Sequence, residues 1–307
     1  MVWGIFQRST RTWAINASID SLSEREEIQQ SLDLQPLEDV ENPAPEEEPQ
    51  EEEEQVDHWR LTNAQCIRGC TLLRRPFRAS QGQPVEHCIA CWAKFSETPG
   101  SDTLDEGYST YTEYDWVCGN CYEELRRTMQ WKIPPARLAQ LLTTGGGRIH
   151  HAHAEEWIPD VRALFLEYAQ SLGIDLGFQD FDRELAELPG EYNRILGKGC
   201  LLVATIDERP AGVVACRPWK HHIETGICEM KRLYVRPDFR GTGLGEALAR
   251  AVVDEARRLG YEKMRLDSLP QMEKAIRLYE SLGFQRIAPY RHNPVEDSVF
   301  LELPLSL

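Results

Sequence analysis

No apolar run in the 307 residues is long enough to cross a bilayer, and the N-terminus lacks the apolar core of a secretory signal. Neither a membrane span nor secretion is therefore expected. A basic excess is also missing. Residues 57–147 carry 10 acids and 10 bases, and residues 148–307 carry 25 acids against 21 bases, a net of −4. That balance disfavours a nucleic-acid binder, which neutralises phosphates with clustered Lys and Arg. No Gly-Lys-Ser/Thr is present, so there is no P-loop. Paired disulfides are not expected either, because nine cysteines is an odd number and their spacing suits a metal in a reducing compartment. A cytoplasmic setting follows.

Acidity is abundant but confined. Residues 1–56 hold 15 acids and 3 bases, a net of −12, and end in Glu46-Glu47-Glu48-Pro49-Gln50-Glu51-Glu52-Glu53-Glu54. Like charges at that density repel, so this stretch is read as a disordered, solubilising tail. Its first 18 residues contain Arg8 and Arg11 and no acid, a faint likeness to an organellar transit peptide, for which two arginines are few.

Two C-x2-C pairs, Cys88/Cys91 and Cys118/Cys121, stand 26 residues apart. Each can present two thiolates from a tight turn, and together they suit a closed four-thiolate zinc site. The insert from Ser101 to Tyr114 reads as a hairpin with a loop, and Trp92, Phe95, Tyr111 and Trp116 supply a small core. Cys66 and Cys70 read as small hydrophobes on one helix face. The stretch Asp57–Asn63, with His87–Phe95 and Trp116–Cys118, resembles a small bacterial zinc-binding module over roughly 57–132. The resemblance supports the metal and leaves open a protein partner for the module. Arg68, Arg74, Arg75 and Arg78 are read as a solvated face. Pro134-Pro135 and Gly145-Gly146-Gly147 then mark a flexible joint, which divides the chain into a tail (1–56), a zinc-ribbon-like module (57–133), a Pro/Gly linker (134–147) and a C-terminal domain (148–307).

In the C-terminal domain, Trp157, Val161, Leu164, Phe165, Tyr168 and Leu172 recur at helical spacing before Gly173. After a strand near Arg148, the periodicities give helices over 157–172 and 181–188, and strands over 200–206, 211–217 and 228–235. A helix from Leu244, a strand over 263–267, a helix over 272–282 and strands over 284–288 and 299–303 complete the series. Between the third strand and its helix lies Arg240-Gly241-Thr242-Gly243-Leu244-Gly245. Such a turn brings backbone N–H groups and a helix N-terminus to bear on an anion. Antiparallel strands precede it, which argues against a dinucleotide-binding fold.

The element order and this turn resemble the GNAT N-acetyltransferase superfamily, whose Gln/Arg-x-x-Gly-x-Gly/Ala signature is met by Arg240, Gly243 and Gly245. A second motif, Ala275-Ile276-Arg277-Leu278-Tyr279-Glu280-Ser281-Leu282-Gly283-Phe284, follows in register. The resemblance covers about 148–307. It implies an α+β fold with a central mixed sheet flanked by helices, and acetyl-CoA as co-substrate. It further implies that Leu233, Tyr234 and Val235 lie along the pantetheine arm and that Arg240 through Gly245 cradle the pyrophosphate. Tyr279 sits where the family carries the tyrosine that serves the leaving thiolate, although a plain core aromatic has the same spacing. Many members carry Asn where this chain has Met272, a departure from the pattern.

In a regular strand Glu229, Lys231, Leu233 and Val235 share one face. That makes Glu229 a candidate general base, against the alternative of an ion pair with Lys231 or Arg232, with Asp267 in reserve. Phe178, with Gln179 and Asp180, falls where the family forms its acceptor wall, and Tyr290 lies in a loop placed to cover the site. His150, His151 and His153 alternate across a strand and do not read as a metal cluster; His221-His222 reads as a polar loop. The expected function is acetyl transfer from acetyl-CoA to an unidentified primary amine, with structural zinc. The competing reading is a non-catalytic acyl-CoA-binding protein recruited through the zinc module.

Overall fold

The computed structural model describes residues 58–79, 85–98, 100–194, 198–220 and 225–305. The acidic tail and His221-His222 lie outside them. The described residues form one compact unit.

The module begins with α1 (His58–Ala64) and holds six short strands: β1 (Leu73–Pro76), β2 (Val85–His87), β3 (Lys94–Ser96), β4 (Thr103–Leu104), β5 (Glu106–Ser109) and β6 (Trp116–Val117). Helix α2 (Gly119–Leu125) follows. The strands make two three-stranded sheets, β1-β5-β6 and β2-β3-β4. The insert is therefore not one hairpin. Its β4 runs parallel to β3, while β5 turns back on β6. Phe77, Phe95 and Trp116 pack ring to ring at 5.1–5.8 Å and form the core. Trp92, expected in that core, is 67% exposed, and its left-handed φ of 65° turns it out of the turn that carries Cys88 and Cys91. Tyr111 is buried, but against Leu138 and the core of the C-terminal domain.

The stretch expected to be a flexible joint is structured. Pro135 caps α3 (Ala136–Thr143), and the glycines lead directly into β7 (Gly147–His151). Leu138 and Leu142 are buried in the main core. A Cβ on Gly147 would stand 2.9 Å from the Leu141 carbonyl oxygen, so glycine here permits close packing rather than freedom.

The C-terminal domain continues with α4 (Ile158–Leu172), α5 (Phe181–Glu187), β8 (Cys200–Ile206), β9 (Arg209–Pro218) and β10 (Ile227–Val235). Then come α6 (Leu244–Arg258), β11 (Lys263–Ser268), α7 (Glu273–Ser281), β12 (Gln285–Ile287) and β13 (Val299–Pro304). The strands form one mixed sheet in the order β12-β13-β11-β10-β9-β8-β7, in which only β10 and β11 run parallel. One face packs on α4 and α5 through Val161, Phe165, Val203 and Val213; the other packs on α6 through Leu202, Val214, Leu248 and Val252. Gly173 ends α4 in the left-handed conformation (φ 66°), as its C-cap position requires.

Helix α6 is covered on two sides. Beyond its sheet-facing stripe, Asp254 is also buried, because the module docks there, while Glu255 is buried on the sheet side beside His151. The Thr71 amide donates to Asp254 Oδ2 at 2.9 Å, and Arg258 pairs with Asp115 at 2.8 Å. A network of Arg75, Glu113 and Arg148 ties the module to β7.

Candidate active site and four-cysteine centre

The site is built by an irregularity in β10. Lys231 stands opposite Ala215 and Tyr234 opposite Val213, so three steps along β10 match two along β9. Arg232 absorbs the extra residue with φ 58°. A one-residue bulge reverses the alternation of side chains. Glu229 and Lys231 face the α4–α5 side together with Tyr234, whereas Leu233 and Val235 face α6. The expectation that Glu229, Lys231, Leu233 and Val235 share one face is thereby corrected. The parallel ladder between β10 and β11 stops at Glu229–Arg265, although both strands run on to Val235 and Ser268. Past that point the strands part, and their edges flank a cleft of about 620 Å³. Met230, Lys231, Leu233, Asp267, Met272 and Tyr279 line it. An extended chain with amide groups fits such a gap by taking the place of the missing strand partner.

Below the cleft lies the glycine-rich turn. Gly241 (φ 83°) and Gly243 (φ 98°) adopt conformations that side chains avoid, and Gly243 caps α6. Thr242 Oγ1 donates to the Phe239 carbonyl at 2.8 Å and accepts from the Leu244 amide at 3.3 Å. Arg240 Nε donates to the Val235 carbonyl at 2.9 Å, which fixes the turn to the end of β10. A Cβ on Gly243 would meet Leu138 Cδ2 at 2.8 Å, and Arg137 pairs with Glu246. Helix α3 is thus a support for the turn.

Glu229 is wholly buried. Its Oε1 accepts from the Tyr290 hydroxyl at 3.0 Å and pairs with Arg291 at 3.0 Å; its Oε2 pairs with Arg217 at 3.3 Å and stands 3.9 Å from Lys231 Nζ. Both oxygens are engaged, so in this arrangement Glu229 holds neighbours in place and does not face the cleft. Asp267 is held by Arg291 and by Asn293 at 2.8 Å. The loop carrying Tyr290 is therefore a fixed wall, with the Tyr290 ring between Trp219 and Phe300. Burial, then the Glu229 carboxylate, pushes the Tyr290 phenol up.

Lys231 and Arg232 were visible only as ion-pair alternatives in the sequence, yet both are central here. Burial pushes the Lys231 ammonium down to about 8, against the pull of Glu229 and Asp267. Its Nζ donates to Gln179 Oε1 at 3.0 Å. Arg232 donates to both oxygens of Glu184, at 2.9 and 2.5 Å, and to Gln179 at 3.0 Å. Burial opposes ionisation of Glu184, but Arg232 outweighs it, with help from the Tyr192 hydroxyl, and holds the carboxyl below its ordinary range. Tyr279 is buried in α7 against Phe284 and borders the cleft. Burial raises its phenol, and Tyr168 and Asp267 add to the shift. Phe178 and Gln179 are shared by this cleft and by a second, polar space of about 1010 Å³ lined by Arg183, Glu184, Glu191, Arg217 and Arg291.

The four paired cysteines converge. The sulfurs of Cys88, Cys91, Cys118 and Cys121 all lie within 4.8 Å of one another, with Cys91 and Cys118 at 3.6 Å. Backbone amides of Cys118 and Cys121 donate to the sulfurs of Cys88 and Cys118 at 3.3 and 3.5 Å, and Arg60 approaches Cys121 Sγ at 3.7 Å. Tetrahedral zinc with Zn–S bonds of about 2.3 Å sets its sulfurs roughly 3.8 Å apart, a close match. Cys66 is exposed and Cys70 is buried against the Asp254 carbonyl, so the two do not form a site together. His150 stacks on Trp157, away from His151. Burial pushes its imidazole down to about 4. No helix among the described residues is long and apolar enough to cross a membrane.

The element order, the mixed sheet and the glycine-capped helix are those expected from the resemblance to GNAT acetyltransferases. Comparison with known proteins agrees. Residues 158–284 match the Acetyltransferase (GNAT) family model. An uncharacterized N-acetyltransferase of Schizosaccharomyces pombe is 41% identical over 150 residues, 48% of this chain and 89% of that protein. One from Dictyostelium discoideum is 32% identical over 209 residues, 50% of this chain and 96% of that protein. A solved putative acetyltransferase from Salmonella typhimurium with acetyl-CoA is similar at 25% identity over 52% of this chain and 95% of that one, with a TM-score of 0.42. The chain belongs to the GNAT acetyltransferase family, and the enzyme is an N-acetyltransferase.

Proposed function

We propose that the enzyme moves an acetyl group from acetyl-CoA to a primary amine by direct attack on the thioester. The observation that carries this reading is the parting of β10 from β11 on the strand whose end is tied to the glycine turn. The pantetheine arm would lie along Leu233, Tyr234 and Val235, and the pyrophosphate on the amides of Arg240 through Gly245. The amine nitrogen attacks the carbonyl carbon, a backbone amide near Leu233 steadies the oxyanion, and the C–S bond breaks.

Two roles differ from those expected of the sequence. Burial holds the Tyr279 phenol protonated, so it serves the leaving thiolate as a hydrogen-bond donor, full proton transfer being uphill. The proton lost by the attacking amine passes to Lys231, which lines the cleft and is brought near neutrality. Glu229 acts through Lys231, Tyr290 and the arginines around it as a positioning residue. The acceptor would enter by the polar space beside Phe178, with Asp267 and Tyr290 in its far wall. The four cysteines would hold a structural zinc.

The test follows CoA release from acetyl-CoA over polyamines, amino acids, aminoglycosides and lysine peptides. Release with at least one acceptor class, reduced about 100-fold in kcat by Tyr279→Phe with unchanged acetyl-CoA affinity, is expected. Tight acetyl-CoA binding with no release across the set would favour a non-catalytic acyl-CoA sensor instead. Zinc content near zero in protein purified under reducing conditions would overturn the four-cysteine centre.

A further inference from the structure

We infer a second metal site, distinct from the four cysteines, in which His151, Cys200 and Glu255 bind a zinc-type divalent ion between the central sheet and α6. One ligand atom from each of the three lies within 4.8 Å of the others. They come from three elements: His151 ends β7, Cys200 opens β8, and Glu255 lies in the last turns of α6.

The arrangement is costly without an ion. Glu255 is 3% exposed, and its Oε2 has no hydrogen-bond partner. His151 Nε2 is also buried without one, although it stands 3.4 Å from Glu255 Oε1. The Thr112 hydroxyl reaches Oε1 only at 3.4 Å. The neighbouring cations are committed elsewhere, Arg257 to Asp254 and Arg258 to Asp115. A buried carboxylate oxygen and an imidazole nitrogen left unsatisfied side by side are each unfavourable, and a water or ion between them satisfies both.

The chemistry of the donors selects the ion. Imidazole, thiolate and carboxylate together are a zinc set, and tetrahedral ligand atoms around zinc stand roughly 3.3–3.8 Å apart. Neutral His151 with Cys200 thiolate and Glu255 carboxylate also cancels the two positive charges, which removes the penalty of burying an ion. Cys216 stands directly across the sheet from Cys200, hydrogen-bonded to its thiol, and is not one of the three grouped ligands. The alternation of β7 explains why the sequence hides this site. His150 points to the α4 side beside Thr205, so His151 ligates alone among the histidines.

Metal content of the full chain, freed of loosely bound ions on a chelating resin, tests the assignment. Two zinc equivalents per chain are expected in the wild type. Cys200→Ala and Glu255→Gln should each lose one, and Cys118→Ser should retain one. Cobalt(II) in Cys118→Ser should give the visible absorption of a tetrahedral site with few thiolates. One equivalent in the wild type that vanishes in Cys118→Ser, or two equivalents retained in both Cys200→Ala and Glu255→Gln, would overturn the inference. One equivalent that vanishes in Cys200→Ala but survives Cys118→Ser would support this site and remove the four-cysteine one. The cobalt spectrum is read on protein with all three mixed-ligand residues intact, so it stands even if the Cys200 and Glu255 variants fold poorly.

Discussion

The bulge that shapes the cleft depends on one ion pair, and removing it should cost both stability and catalysis. The Arg232 and Glu184 side chains are 1% and 8% exposed and make a two-pronged contact. Arg232→Ala leaves the Glu184 carboxylate buried with the Tyr192 hydroxyl as its remaining partner among these contacts. Stripping one member from a buried pair costs about 3–5 kcal/mol. In a domain of this size that corresponds to a fall in Tm of roughly 6–20 °C. Arg232 also pays for its left-handed φ of 58°, a conformation that costs a side chain about 1 kcal/mol. Arg232→Gly should therefore be about 1 kcal/mol more stable than Arg232→Ala, although it removes the same charge. Glu184→Gln combined with Arg232→Ala buries no charge, and should be no worse than Arg232→Ala alone.

Chemical denaturation of the four proteins gives these differences, and acetyl-CoA saturation curves report the site. Every variant that lets the bulge relax shifts the backbone at Leu233 and should raise KM for acetyl-CoA. Because the Glu184 carboxyl is held below its ordinary range, its contribution is present at neutral pH and is lost as pH falls through the folded-state value. The wild type should therefore lose stability in acid more steeply than the double variant. Equal stability of Arg232→Ala and wild type, or a double variant less stable than Arg232→Ala, would refute the reasoning.

Other consequences can be checked independently. Gly243→Ala combines a φ of 98° with a 2.8 Å approach to Leu138, and should weaken acetyl-CoA binding by tenfold or more. Gly241→Ala, whose Cβ would meet nothing within 4 Å, should weaken it less; isothermal titration compares the two. If Lys231 accepts the proton, its neutral form is the active one. With a weakly basic amine as acceptor, kcat/KM should then rise through pH about 8 and level off, and Lys231→Met should flatten that limb. Leu138→Ala should cost about 2–5 kcal/mol in a denaturation experiment, whereas a flexible joint at 134–147 would show no change.

Much of the catalytic domain was legible because its signals are local. Cys200–Ile206 is an apolar run of strand length and forms a strand with those bounds, and Leu172-Gly173 ends α4 as its spacing and cap demand. The glycine-rich turn was legible for the same reason, since the need for glycine at Gly243 is set by its own backbone. What the sequence hid depends on partners far along the chain. Glu229, Lys231, Leu233 and Val235 alternate like any strand, and no glycine marks the bulge; Arg232 is held in its strained conformation by Glu184, 48 residues away. Pro135 and the three glycines carry the composition of a linker, yet the same proline starts a helix and the same glycines admit close packing.

Asp254 and Glu255 show the limit most plainly. On a helix whose apolar stripe already faces a sheet, two acids in sequence read as the solvated side. Asp254 is buried because the module covers it, and Glu255 because it faces His151 of the sheet with Thr112 of the module beside it, which joins two parts of the chain expected to be separate. Helix α6 carries the glycine-rich turn at its first residue and receives the module through Asp254, Glu255 and Arg258. A shift of the module against α6 would therefore act on the helix that also carries the amides at Gly243 through Gly245. Thiolate loss at Cys118 should accordingly be felt as a change in acetyl-CoA affinity, although the cysteines lie in the module and not in the cleft.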